Sequence, residues 1–448
     1  MDSRETTTLM TVGDYRKKIL LFSIPLFIGN LFQQLYNTAD SLIVGNYLGA
    51  EALAAVSSVG SLVNLFTGFF LGFSTGASVI IARRIGANDA RRTEAAVHTD
   101  TALALFFCVL MTAVGVIFAR PMLAAMGTPD NVLPLASRYL TIYFAGISGL
   151  ILYNFFTGIL QAAGDAKHPL YYLIFSSLLN IVLDIVLIRV CGMGVEGAAY
   201  ATIFAEILTS VLVMRRLMRS DSLVHLDLRR IRFDRSSLRQ ILNYGFPGAL
   251  QGCVIDFSNI LIQSYINSFG SSAMAGVGAA VKAEGFIFLP ITSFALALTT
   301  YVSQNMGAKE YERVRKGIRF GTVTAILVVE VLGILYFLFA GPVISIFSSD
   351  PQVIFYGVGR SRVTSLYYFL VGFSHIASGI LRGLGRPRTP MVVMLVCWCL
   401  VRVVILFTLG RAVHVIELVY WIYPFTWALS SLVFYPCIRK TEKEELHA

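Results

Sequence analysis

A chain of 448 residues with 56% hydrophobic and only 14% charged positions is too apolar for a soluble domain, in which about a quarter of residues are charged. It reads as an all-α polytopic membrane protein. The formal charge of +10 is not that of a nucleic-acid-binding surface, because the basic residues sit in the short segments between apolar runs.

In chain order, Arg16, Lys17 and Lys18 precede the apolar stretch Ile19 to Val44. That stretch is too long for a signal-peptide core and lacks a small-residue cleavage site, so it is expected to be a retained first span. Eleven more follow, the twelve running 17–45, 52–80, 97–118, 135–161, 169–190, 195–217, 239–268, 273–303, 317–340, 353–382, 390–410 and 415–437. Lys and Arg concentrate in every second connecting segment, which assigns both termini to the cytoplasm. The longest connector, Arg215 to Arg239, holds eight arginines and reads as an orientation signal touching anionic lipid. The expected organisation is an N-lobe at 1–217, a basic connector at 218–238, a C-lobe at 239–437 and a cytoplasmic tail at 438–448. Cys108, Cys191, Cys253, Cys397, Cys399 and Cys437 lie in or beside apolar runs without CxxC spacing, so packing is their expected role.

The two halves are self-similar. Ile24-Pro25 matches Phe246-Pro247 at a separation of 222, and Gly49, Ala54, Gly86-Ala87, Gly158-Ile159-Leu160, Gly164 and Pro169 each recur 221 residues later. Six spans per repeat is an even number, so the lobes should share one orientation and be related by a pseudo-two-fold axis along the membrane normal. That is an architecture of transporters whose site lies between repeats.

Ionisable residues within spans are costly, by about 2.5 to 3.5 kcal/mol at the helix centre, and mark function by default. Gln33, Tyr36, Asn37 and Asp40 form a polar stripe on the first span, and Ser177, Asn180 and Asp184 another on the fifth. Counted at the helical rise, Asp40, Asp184 and Thr202 fall at about 8, 9 and 10 Å from the outer helix ends. Two acids, an amide and a hydroxyl at one depth suit a small cation or a shared proton. The acids do not recur in the repeat: Asp40 corresponds to Leu261 or Ile262, Asp184 to Ile405, Asn180 to Val401 and Thr202 to Tyr423. The N-lobe is therefore expected to be specialised for coupling. In the C-lobe, Asp256, Asn259 and Gln263 make a stripe of their own, with Lys282 and Glu284 in the next span. Asp256 either forms a salt bridge with Lys282 or touches substrate. Asn154 joins these as a cavity candidate, and His375 and Glu330 are expected to pack. Gly192 to Gly197 spells GxGxxG but joins two apolar spans without a βαβ unit, so it is a turn. No P-loop, HExxH or GxSxG is present.

Three segments are recognisable: PLFIGNLFQQLYNTADSLIVGNYLGAEALAA from Pro25, the pair ARRIGANDARR and SQNMGAKEYERVR, and LLNIVLDIVLI followed by GVEGAAYAT. Through them the chain resembles the multidrug and toxic compound extrusion (MATE) family, closest to its DinF-like bacterial type. The resemblance implies twelve helices in two lobes. It also implies a secondary antiporter, not an enzyme, that exports small cationic or amphipathic organic compounds in exchange for Na⁺ or H⁺. No cofactor beyond the transported ion and no nucleic acid is implied; the bilayer, that of a bacterial inner membrane, and the organic substrates are the partners of a monomer. The family's N-lobe cation site matches Asp40, Asn180, Asp184 and Thr202. The NorM-like type instead uses acids of the seventh and tenth helices; here Asp256 falls near the first, and Phe355 to Leu381 contains neither Asp nor Glu. The competing readings are a flippase for lipid-linked saccharides, which would carry extra spans and cationic cavity residues, and an integral membrane enzyme.

Overall fold

The computed structural model describes residues 9–219 and 223–446. The first eight residues of the expected N-lobe, residues 220–222 of the connector and the last two of the tail lie outside the described residues. The described residues form twelve helical spans. The first six are α1 Tyr15–Leu48, α2 Ala50–Gly86, α3 Ala90–Ala125, α4 Leu133–Ala145 with Ser148–Ala162, α5 Lys167–Val190 and α6 Gly194–Met218. The other six are α7 Arg235–Asn267, α8 Ser271–Gly307, α9 Tyr311–Ser345, α10 Pro351–Ser365 with Tyr368–Leu384, α11 Arg388–Ala412 and α12 Glu417–Leu446. Nine are long and apolar enough to cross a membrane singly, and the bent pairs α4 and α10 bring the number to eleven. The twelfth, α7, has 33 residues; its Gln251, Asp256, Asn259 and Gln263 lower its hydropathy.

Spans 135–161 and 353–382, expected as single helices, are each broken, by 47° in α4 and 59° in α10. At the first break a Cβ on Gly146 would meet Ile203 at 2.2 Å, so only glycine lets α4 turn against α6. At the second, the carboxylate of Glu330 accepts a hydrogen bond from the Phe369 N–H at 2.9 Å, satisfying a donor that a helix start leaves open. The repeat extends to the backbone. Gly49 (φ 88°) pairs with Gly270 (φ 93°), and the left-handed residues Asn88 (φ 54°) and Lys309 (φ 60°) stand at the same separation in the α2–α3 and α8–α9 turns. Non-glycine residues seldom take this conformation, so its recurrence in both halves marks one turn design used twice.

The described residues divide into two compact units, Leu9 with Ile28–Ala249, and Met10–Phe27 together with those from Leu250 onward. This departs from a division at 217 and 239 in one respect: the boundaries after Phe27 and Ala249 fall inside helices, two residues beyond Pro25 in α1 and beyond Pro247 in α7. Polar contacts explain the exchange of helix starts. In the first unit Arg84 donates to Ser237 Oγ at 2.9 Å and Gln240 Oε1 at 3.1 Å. In the second, Met10 N donates to Gln304 Oε1 at 2.8 Å, and Arg313 Nη1 donates to the Gly13 carbonyl at 2.6 Å.

The start of α7 crosses α2 through glycine. A Cβ on Gly72 would meet Ala249 N at 2.3 Å and one on Gly76 would meet Gly245 N at 2.3 Å, the small-xxx-small contact that lets helix backbones touch. Gly76→Leu is therefore expected to force the helices apart and cost about 1–3 kcal/mol or more. A fall in the thermal midpoint of the detergent-purified protein would report it. Gly278→Leu, where nothing lies within 4 Å of an added Cβ, should leave the midpoint unchanged.

Candidate functional site

The first unit brings the expected N-lobe residues together. Asp40 on α1 is 8% exposed, and Asn180 and Asp184 on α5 are fully buried. Thr202 on α6 is buried too and donates to the Ala198 carbonyl at 3.0 Å. The Asp40 and Asp184 carboxyls interact directly. Beyond that mutual contact neither oxygen of Asp184, nor either polar atom of the Asn180 amide, has a hydrogen-bond partner among the described residues. Buried polar atoms are nearly always satisfied, so a concentration of orphans at one point marks a place built for something that arrives and leaves. Asp184 ends the regular part of α5. From Ile185 to Val190 the helix widens to a π turn, a local irregularity frequent at functional sites.

Glu206, Tyr139 and Tyr143, which sequence reasoning passed over, join the expected Tyr36 in completing this cluster. Glu206 stands one turn beyond Thr202 on α6 and accepts a hydrogen bond from Tyr143 Oη at 3.1 Å. Tyr36 and Tyr139 both lie against Thr202 and within electrostatic reach of Asp40 and Glu206. Gln33, Tyr36, Ser177, Asn180 and Glu206 border one cavity of about 40 Å³, space for a few water-sized bodies. Asn37 is exposed and stands outside this cluster. Asn154 is occupied within its own helix, donating to the Leu150 carbonyl at 2.8 Å, while its carbonyl accepts from Ser74 Oγ at 2.6 Å.

The C-terminal unit corrects one expectation. Asp256 and Lys282 form no ion pair; Lys282 is exposed and Asp256 half-buried. The buried pair is Glu284 with Arg360 of α10, Nη2 to Oε2 at 2.8 Å, and Thr364 Oγ1 donates to the other carboxylate oxygen at 2.8 Å. Two residues apart on α8, Lys282 and Glu284 point to different sides, since only residues three or four apart share a helix face. The inward one found its partner on the helix packed against it. This unit encloses a larger cavity, about 340 Å³, bordered by Asn259, Gln263, Glu284, Arg360, His375, Trp398, Arg402, Tyr423 and Trp427. Arg402 of α11 lies over Trp398 at 5.3 Å and over Tyr423 at 4.7 Å, and Arg360 lies over the same tyrosine at 4.9 Å.

The two cavities thus differ in size and sign: a small acidic one in the first unit, a ligand-sized one with two guanidinium groups in the second. Comparison with known proteins agrees with the repeat. The MatE family model matches residues 25–186 and again 247–408. The chain is 29% identical over 427 residues to the probable multidrug resistance protein YoeA of Bacillus subtilis (strain 168), covering 94% of this chain and 92% of the relative. It is 30% identical over 393 residues to the probable multidrug resistance protein YpnP of the same organism, covering 88% of each. A solved outward-facing multidrug resistance MATE transporter of the MOP superfamily superimposes with a TM-score of 0.91 over all of both chains at 25% identity. The chain belongs to the MATE family: a multi-pass membrane transporter of twelve helices in two lobes, and not an enzyme.

Proposed function

We propose that this protein is a monomeric antiporter of the bacterial inner membrane, with both termini cytoplasmic, that exports small amphipathic organic compounds in exchange for Na⁺ or H⁺ bound at Asp40, Asn180, Asp184 and Thr202. The observation that carries this reading is the pair of buried, neighbouring carboxyls with the orphaned Asn180 amide, which also borders a cavity of about 40 Å³. That space suits an ion and not an organic molecule, for which pockets run to about 300–1,000 Å³. Two carboxyl groups in contact in a low-dielectric site cannot readily both stay ionised alone. They hold a proton between them or close on a cation, with the Asn180 amide and Thr202 hydroxyl as further oxygen donors. Glu206 and the tyrosines widen this network toward the cavity.

Coupling requires that the ion favour one conformation. Pro25 removes a backbone hydrogen bond from α1, 15 residues before Asp40, and the structural units change over just beyond it. A change of charge at Asp40 would be transmitted to a bend at this point. The twin observation, Pro247 in α7, offers the same freedom to the second repeat.

The test is proteoliposome transport of one fluorescent organic cation and one fluorescent organic anion, under an imposed Na⁺ gradient and separately under an imposed pH gradient. Movement driven by at least one gradient is expected; movement that follows only the solute's own gradient would sink the antiporter reading. The flippase alternative gains one observation, since Arg360 and Arg402 supply the cationic cavity residues expected of it. The described residues form twelve spans, without the additional ones expected of a flippase.

A further inference from the structure

We infer that the cavity of the C-terminal unit is a binding site for an aromatic organic anion, whose charged group is received by Arg402. This deepens the export reading by naming a substrate class, and rests on that reading only for the direction of transport.

Arg402 is 2% exposed. Its Nε donates to Thr426 Oγ1 at 3.1 Å, and no carboxylate among the described residues lies within ion-pair distance of it. The Nη atoms make no hydrogen bond to any described residue, yet Arg402 borders the cavity. The one acid among the residues that border the cavity is already committed, because both oxygens of Glu284 are taken by Arg360 and Thr364. Burying a guanidinium without a counter-charge is strongly unfavourable. The rings of Trp398 and Tyr423 offset part of that, but Tyr423 also serves Arg360, so two cations share one ring while the one acid bordering the cavity is paired with Arg360. The cavity carries an uncompensated positive charge on a group whose planar fork fits a carboxylate, phosphate or sulfonate.

The walls describe the rest of the ligand. Phe288, Trp398, Tyr423 and Trp427 present aromatic surface, while Asn259 and Gln263 of α7 offer amide donors and acceptors. A volume of about 340 Å³ accommodates a fused ring with a short charged arm, but not the two acyl chains of a phospholipid. A lipid headgroup would supply the same phosphate chemistry, and the experiment separates the two sources.

The chain has three tryptophans, and two of them, Trp398 and Trp427, border the cavity, so quenching of their emission reports occupancy locally. The full-length protein, purified in detergent, is titrated with flavin mononucleotide and with riboflavin, the same planar ring with and without a phosphate. The phosphate form is expected to bind at least about tenfold more tightly, equivalent to about 1.4 kcal/mol. Arg402→Gln should bring the two affinities together, and Arg402→Lys should keep a preference for the anion. Equal binding of both flavins by the unaltered protein overturns the inference. So does a preference undiminished in Arg402→Gln, and so does displacement by short-chain phosphatidylglycerol without any preference between flavins, which would assign the arginine to lipid. Should Arg402→Gln fail to fold, the unaltered protein and Arg402→Lys decide the matter. Binding is read at equilibrium without a gradient, so a failure here leaves ion coupling standing, and a failure of coupling leaves this result standing.

Discussion

Asp184→Asn is expected to reduce gradient-driven export to the level of protein-free liposomes while leaving a folded protein, and Asp40→Asn to do the same. Asparagine keeps the size and one oxygen of the carboxyl but can neither carry the proton nor supply the charge that draws in a cation. The folded state does not need that charge: Asp184 is fully buried and neither of its oxygens is engaged by a helix end, an arginine or a hydroxyl. Removing an uncompensated buried acid should leave stability unchanged or raised. Loss of transport with an unaltered thermal midpoint and a monodisperse gel-filtration peak would therefore place Asp184 in coupling and not in packing. Glu206→Gln, which keeps an acceptor for Tyr143, should slow transport without abolishing it. If both aspartate variants transported at the unaltered rate under Na⁺ and pH gradients alike, the coupling acid would have to be sought elsewhere, beginning with Glu206.

The N-lobe cluster was legible because its chemistry is periodic. Asp40 and Asp184 lie on polar stripes, and counting helical rise from the outer end puts them and Thr202 at one level. Glu206 was equally visible as an acid inside the sixth span, one helical turn beyond Thr202, and the rule that singled out Asp40 applies to it unchanged. The two-fold repeat was legible in glycines and prolines because backbone geometry leaves little choice of residue there, as the left-handed Gly49 and Gly270 bear out. The breaks in α4 and α10 were not, since one depends on Ile203 filling the space beside Gly146 and the other on Glu330 reaching across from α9. The exchange of helix starts between units rests likewise on contacts nearly 300 residues apart in sequence, such as Met10 with Gln304. In the C-lobe, sequence proximity favoured Lys282 as the counter-ion, whereas burial favoured Arg360, 76 residues from Glu284. Searching the tenth and eleventh spans for basic as well as acidic residues would have found both arginines.

Arg360→Met is expected to destabilise the protein by about 3–5 kcal/mol, because it strands a buried carboxylate. Glu284 is 4% exposed, and without the guanidinium only the Thr364 hydroxyl would remain to hold its charge. Glu284→Gln should be costly in the same way, leaving Arg360 without its carboxylate while both it and Arg402 lie over Tyr423. The double replacement, Glu284→Gln with Arg360→Met, removes both charges in near-equal volume and should recover most of the loss, since a buried pair replaced as a whole is often close to neutral. A double-mutant cycle in thermal midpoints of detergent-purified protein isolates the pairwise coupling. Asp256→Asn and Lys282→Met, which share no contact, should instead give small and additive shifts. Additive losses for Glu284 and Arg360 would mean that each is held by other groups, and that the positive charge of the cavity is not confined to Arg402.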